Sequence, residues 1–105
     1  MPNLCYNKIV ITGPSNQIDD LMYKSDVENE FSFEGICPPK LDERSPEPFD
    51  FKILDKSEES IIIEFKTAWS PPVFWLEESK KKYKDLNFNL EYEEEFDDQI
   101  YYMTF

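Results

Sequence analysis

The run Thr67-Ala68-Trp69-Ser70-Pro71-Pro72-Val73-Phe74-Trp75 constrains the fold more than any other part of the sequence. It follows Ile61, Ile63 and Phe65, which share one face of an expected strand. It leads into a stretch that ends on Lys80, Lys81, Lys82 and Lys84 and reads as a helix. A strand joined to a helix through two prolines is a stiff corner. Ser70 is placed to cap the helix with its hydroxyl, and Pro71 suits the first helical position, where the N–H it lacks has no intrahelical partner. The lysines fall near the helix end, where cations meet the negative end of the dipole. Trp69 and Trp75 put a large apolar area at this corner. The packing expectation is that both lie between helix and sheet; the alternative is that one is an exposed anchor for a partner.

The remaining elements follow from periodicity. Leu4–Thr12 sets Asn7, Ile9 and Ile11 against Lys8, Val10 and Thr12, as a strand with one more polar face, and Gly13-Pro14 stops it. Ser15 or Asn16 is expected to cap a short helix in which Ile18, Leu21 and Met22 recur at helical spacing. Asp19 and Asp20 are expected in its first turn, and its end near Lys24. Residues 25–48 are polar and proline-dotted. Phe31-Ser32-Phe33 reads as a brief extended piece, followed by Ile36-Cys37-Pro38-Pro39 and an acidic loop through Ser45-Pro46-Glu47-Pro48. Phe49, Phe51 and Ile53 alternate with Asp50 and Lys52, residues 55–59 turn, and residues 60–67 return as a hairpin. The second helix is expected over residues 71–83. Leu86, Phe88, Leu90 and Tyr92 then alternate with Asn87, Asn89 and Glu91 as a half-buried strand, and residues 100–105 can add a last one.

Strand, helix, strand, strand, helix, strand is the βαββαβ order of an α+β ferredoxin-like two-layer sandwich, in which two helices cover one face of an antiparallel sheet. The length suits one such domain over residues 1–105. Val10, Leu54 and Ile62 point away from the helices in this reading. They are expected either to form an open apolar face or to be covered by the middle excursion and the last strand, and the length of that excursion favours covering.

Composition excludes several function classes. The 105 residues carry a formal net charge of −12 and no histidine. Such a charge repels phosphate backbones, anionic membranes and acidic substrates, and attracts basic partners over a screening length of about 8 Å. Direct nucleic-acid binding is not expected. Without histidine the chain lacks the commonest general base, the usual partner of a Ser or Cys nucleophile and the commonest transition-metal ligand, so an enzyme is not expected either. Cys5 and Cys37 are too few for a disulfide framework and are expected reduced and semi-buried. Nine Phe, six Tyr and two Trp mark a chain that folds despite its acidity. No window approaches a membrane span of roughly 18 apolar residues, and Met1-Pro2-Asn3 does not begin a signal peptide, so a cytoplasmic location is expected.

Met1-Pro2-Asn3, Cys5, Asn7, Gly13, Phe31-Ser32-Phe33 before a proline pair, the segment 67–72 with Trp75, and Leu86, Phe88, Leu90, Tyr92 and Glu93 together resemble the YubB-like ferredoxin-like domain family. That family is found mainly on bacteriophages, plasmids and integrated elements. The resemblance implies the ferredoxin-like fold and a mobile-element origin, and it brings no catalytic residues. The sequence departs from the family pattern twice. Residues 43–51 replace a longer tryptophan-and-glycine segment before the hairpin, and Glu94-Glu95-Phe96-Asp97-Asp98 replaces a glycine-containing turn.

Glu91, Glu93, Glu94, Glu95, Asp97 and Asp98 place six carboxylates within eight residues, at the end of the fourth sheet strand and in the turn after it. A hard cation wants several oxygens, yet the segment has no glycine-centred loop of EF-hand type, and contiguous acids on one strand end do not frame a glycosidase cleft. No metal or cofactor is expected. The bland reading is a solvated rim that keeps an edge strand from pairing with other chains. The sharper reading is mimicry, in which carboxylates on a rigid edge imitate a row of phosphates and draw a Lys/Arg groove onto this surface. The leading expectation is an inhibitor of a basic, nucleic-acid-handling host defence protein, of anti-CRISPR or anti-restriction type, with Trp69 or Trp75 as an added anchor. The alternatives are a small-ligand or regulatory domain that uses the open sheet face, and a structural component that self-associates through it.

Overall fold

β1 (Leu4–Thr12) is the central strand of the main sheet, and its alternation buries Cys5, Asn7, Ile9 and Ile11 on one face while the residues between them are exposed or half-buried. The computed structural model describes residues 3–37 and 47–105. After β1 come α1 (Ser15–Ser25), a small hairpin of β2 (Asp26–Val27) and β3 (Glu30–Phe31), and a 3₁₀ turn at Phe33–Gly35. The chain continues with β4 (Phe49–Lys56), β5 (Ser60–Ala68), α2 (Val73–Lys82), β6 (Asn87–Glu94) and β7 (Ile100–Thr104). The main sheet has the order β4-β5-β1-β6-β7, with every neighbouring pair antiparallel. Each βαβ unit is thus split by a strand of the other, which is the ferredoxin-like α+β sandwich. The extra C-terminal strand adds a fifth member at the β6 side.

The core lies between the sheet and both helices. Ile9 and Ile11 of β1, Ile61, Ile63 and Phe65 of β5, and Phe88 and Leu90 of β6 meet Ile18 and Leu21 of α1 and Trp75 and Leu76 of α2. Asp20 of α1 accepts a hydrogen bond from the Tyr83 hydroxyl at 2.7 Å, which ties the end of the second helix to the first. No helix among the described residues is long and apolar enough to cross a membrane.

Both helix starts differ from expectation for a shared reason. Proline occupies each N-cap position, so neither Ser15, Asn16 nor Ser70 caps with its side chain. At α1 the carbonyl of Pro14 accepts from the N–H groups of Gln17 and Ile18, both at 3.1 Å. Ser15 is then the first helical residue, and Asp19 and Asp20 fall beyond the first turn. At α2 the helix begins at Val73, two residues later than Pro71. A residue that precedes proline is pushed out of the helical region, so Pro71 cannot be helical while Pro72 follows it. Lys80, Lys81 and Lys82 do lie in the last turn of α2, Lys84 follows its end, and Lys80 bonds the carbonyls of Lys84 and Leu86 at 3.1 and 2.7 Å.

The middle excursion is more ordered than its composition suggests. Glu28 and Asn29, at φ 53° and 68°, make the tight turn between β2 and β3. Phe31 ends that hairpin and Phe33 starts the 3₁₀ turn, so Phe31-Ser32-Phe33 is only partly extended. Phe33 stacks on Trp75 with centroids 5.1 Å apart, and Phe31 stacks on Phe51 at 4.4 Å. Gly35 is required here, because a Cβ at that position would collide with the Lys24 carbonyl. The described part of the excursion therefore thickens the helical layer instead of crossing the far face of the sheet, and β7 extends the sheet instead of folding over it. The stretch with Pro38, Pro39, Ser45 and Pro46 lies outside the described residues. Cys5 and Cys37 are both buried and free, as a reduced pair requires.

Candidate interaction surface

One end of the sheet gathers most of the residues singled out in the sequence. The N–H of Trp69 donates to the Asn3 carbonyl at 2.7 Å, and the N–H of Glu95 donates to the Leu4 carbonyl at 2.8 Å. The Glu95 carboxylate also accepts from the Leu4 N–H at 3.3 Å. These bonds fix the β5–α2 corner and the β6–β7 turn on opposite sides of the start of β1, about 10 Å apart at two strand spacings.

Each flanking segment displays an aromatic side chain. Trp69 is 66% exposed and Phe96 is 91% exposed. Both have left-handed backbones, at φ 74° and 70°, a conformation that costs a non-glycine residue about 1–2 kcal/mol. The expectation that both tryptophans pack inside is thus right for Trp75, which has no exposed surface, and wrong for Trp69. It also removes Trp75 as an anchor. Trp69 escapes because its left-handed φ breaks the alternation of β5 before the helix begins. Thr67 holds that conformation, since its Oγ1 donates to the Ser70 carbonyl at 2.7 Å. Phe96 was not legible as a site residue, although an isolated aromatic between acidic neighbours with no apolar residue two positions away is a detectable signal.

The six carboxylates do not act as one row. Glu91 and Glu93 stand on the sheet face away from the helices, opposite Lys8 and Tyr6 of β1. Glu94 is opposite Cys5, and Glu95, Asp97 and Asp98 follow in the turn. Glu95 is tied to Leu4, and Asp97 accepts from the Gln99 N–H at 3.0 Å and the Tyr101 hydroxyl at 2.9 Å. Glu91, Glu93, Glu94 and Asp98 form no ion pair among the described residues. The rim does not guard an edge strand, because β7 covers the outer side of β6. The fifth strand moved the sheet edge away from the acids.

Burial and charge perturb the groups beneath this end. Burial pushes the Cys5 thiol up from 9.0 to about 11, against the hydrogen bond with Thr67, and the nearby Glu94 charge adds to the rise. The hydrogen bond to Asp97 raises the Tyr101 phenol, and burial raises Tyr92, whose ring stacks on Tyr101 at 5.3 Å.

The face away from the helices carries a cleft of about 620 Å³. Strand register explains its lining. Lys52, Glu64, Lys8 and Glu91 stand side by side across four strands, and Lys66, Tyr6, Glu93 and Ile100 form the next row. Lys66 pairs with Asp50 at 3.0 Å and lies 5.8 Å from the centre of the Tyr6 ring. Val10, Ile62 and Leu54 do not line the cleft. The expected apolar face is in this region a ladder of alternating charge, left open by the described residues.

The βαββαβ order, with two helices on one face of an antiparallel sheet, defines a ferredoxin-like protein. Residues 48–100 match the family model of the ferredoxin-like domain in Api92-like protein. The match covers about half of the chain, from the start of β4 to the first residue of β7, and so includes both tryptophans and all six acids. The chain belongs to that family. No curated protein and no solved structure matches it.

Proposed function

We propose that this chain is a YubB-like protein of phage or plasmid origin, without enzymatic activity, that binds and inhibits a nucleic-acid-handling host defence protein in the cytoplasm. In this reading Glu93, Glu94 and Asp98 take the part of phosphates toward that partner, in the manner of anti-CRISPR or anti-restriction inhibitors. The observation that carries this reading is the end of the sheet where Trp69 and Phe96 are held outward in left-handed backbone beside Glu93, Glu94 and Asp98. Exposed aromatics in a strained conformation contribute nothing to the core, and such outliers cluster where function maintains them. The net charge of −12 adds long-range steering toward a basic groove.

Capture of the tagged protein's partner from host lysate, compared with a variant neutral at Glu93, Glu94 and Asp98, tests it. The reading expects a nucleic-acid enzyme with the wild type only, released by salt of about 0.5 M, where exposed charges are strongly screened. A partner retained equally by the neutral variant and at high salt removes the electrostatic basis.

The cleft favours a second reading as a ligand-binding or regulatory domain, since Lys8, Lys52 and Lys66 together with Glu64, Glu91 and Glu93 suit a small molecule bearing both charges. It predicts a rise in melting temperature with ligand and no protein partner.

A further inference from the structure

The two edges of the main sheet are built differently. Edge β4 is blunted in the usual ways. Four of its eight residues, Asp50, Lys52, Asp55 and Lys56, are charged, its pairing with β5 shifts register twice, and Asp50 has a left-handed φ of 54°. Edge β7 has none of these devices. Its sequence Ile100, Tyr101, Tyr102, Met103, Thr104 carries no charge and no proline, and its pairing with β6 is regular throughout.

The hydrogen-bond phase of β7 follows from one pair. Phe88 and Phe105 exchange both backbone bonds, at 3.0 and 2.8 Å. Bonded pairs recur every second residue in an antiparallel ladder, so Leu90 with Met103 and Tyr92 with Tyr101 are the other inward pairs. The N–H and C=O groups of Ile100, Tyr102 and Thr104 therefore point outward. The side chains of these three residues stand on the open face beside Glu93, Glu91 and Asn89.

The geometry points to β7 as the docking edge for an extended basic segment, which adds as a sixth strand. This rests on the basic-partner reading above and deepens it by naming the form in which the partner is taken. Charge selects the occupant. A residue facing Ile100 or Tyr102 on the open face lies about 10 Å from Glu93 or Glu91, two strand spacings away, within reach of an extended lysine or arginine side chain. Its stem would cross the Ile100 side chain or the Tyr102 ring, and Tyr102 is 70% exposed and suited to a cation. Residues of the opposite parity would meet Tyr101 and Met103 on the helical side and would be apolar. The recognised pattern is thus basic and apolar in alternation, held by backbone bonds with specificity from alternate side chains.

The test is amide hydrogen exchange, followed by NMR on the whole chain, with a capped hexapeptide of alternating arginine and valine. A block peptide of three arginines then three valines is the control for general attraction to an acidic protein. The expected result is at least tenfold slower exchange at Tyr102 and Thr104 with the alternating peptide only, with no change at Met103, whose N–H is already bonded inward. Tyr102→Pro should abolish the effect without loss of fold, because the N–H that it removes serves no bond within the chain. Peptide-induced shifts around Glu93 and Asp98 without protection of these amides would overturn strand addition while leaving basic recognition intact. Absence of any binding would overturn strand addition, while the capture experiment above decides the basic-partner reading on its own. Protection that rises with protein concentration and no peptide would assign the edge to a second copy of the chain and overturn the basic occupant.

Discussion

Asn7 Nδ2 donates to Thr67 Oγ1 at 3.0 Å, and that same hydroxyl donates to the carbonyl of Ser70, so a buried contact between β1 and β5 fastens the corner that displays Trp69. Asn7 further reaches the carbonyls of Cys5 and Phe65, both at 3.3 Å. A polar residue in this part of the core is satisfied by backbone that the sheet itself leaves accessible.

Thr67→Val keeps the shape and removes the hydroxyl. The Ser70 carbonyl and one Asn7 donor direction lose their partner, so a loss of about 1–3 kcal/mol is expected from urea unfolding. Trp69 should become more mobile in the same variant, read as lower fluorescence anisotropy. A variant as stable as the wild type would mean that water replaces the hydroxyl without penalty.

The two tryptophans should respond oppositely. Trp75→Ala empties the centre of the aromatic cluster and is expected to cost about 3–5 kcal/mol. Trp69→Gly relieves a left-handed residue, worth about 1–2 kcal/mol, and raises the entropy of the unfolded chain by about 0.5–1 kcal/mol, so stability should stay within about 1 kcal/mol. Partner capture, in contrast, should fall with Trp69→Gly.

How far these roles were legible in the sequence depends on what sets them. Period-two alternation located β1, β5 and β6, where alternate residues are buried on one face, and the same pattern of residue types located β4, while residues 100–105 offered only room for a last strand. The helix starts differ from expectation because Pro14 and the Pro71-Pro72 pair act through the backbone of adjacent residues, whereas the hydroxyls of Ser15 and Ser70 signal a side-chain cap that does not form. The acidic segment is plain in the sequence, yet its relation to the sheet edge depends on where β7 pairs, which is a long-range fact. The cleft is of the same kind. Lys8, Glu64 and Glu91 come together only through strand register, and no spacing within the chain announces them. Trp69 could not be separated from Trp75 by residue type, since only the sign of φ distinguishes them.

Cys5 should make stability fall at alkaline pH. Its folded pKa is raised, so the protonated thiol is favoured in the folded state, and the contribution is complete below the ordinary value of 9.0 and lost as pH rises to about 11. The loss amounts to about 2–3 kcal/mol over that interval. Cys5→Ala should flatten this limb of the stability curve. Thiol reagents should reach Cys5 at the rate of unfolding, and rapid labelling in the folded protein would contradict its burial.

Asp20 governs the acid side. The Tyr83 hydroxyl, and after it Lys24, hold its carboxyl below the usual range. A depressed pKa gives stability that is present above about pH 4, the value of a free carboxyl, and is lost as pH falls through the folded value. Burial, with the Asp20 charge beside it, raises the Tyr83 phenol in turn, so its contribution is present below pH about 10 and is lost above it. Tyr83→Phe should move the Asp20 titration, followed by carboxyl NMR shifts, toward higher pH. An unmoved titration would assign the depression to Lys24 alone.

The bonds from Asn3 and Leu4 to Trp69 and Glu95 have a consequence for how such a surface can change over time. Two adjacent residues, Asn3 and the first residue of β1, set the spacing of both aromatic tips, so neither can drift without the other. A one-residue slip of β1 against β5 and β6 would displace both together and turn its whole side-chain alternation inside out. Adaptation to a new partner is therefore channelled into point substitutions at the tips and in the acidic turn, while the distance between the tips stays constant across variants.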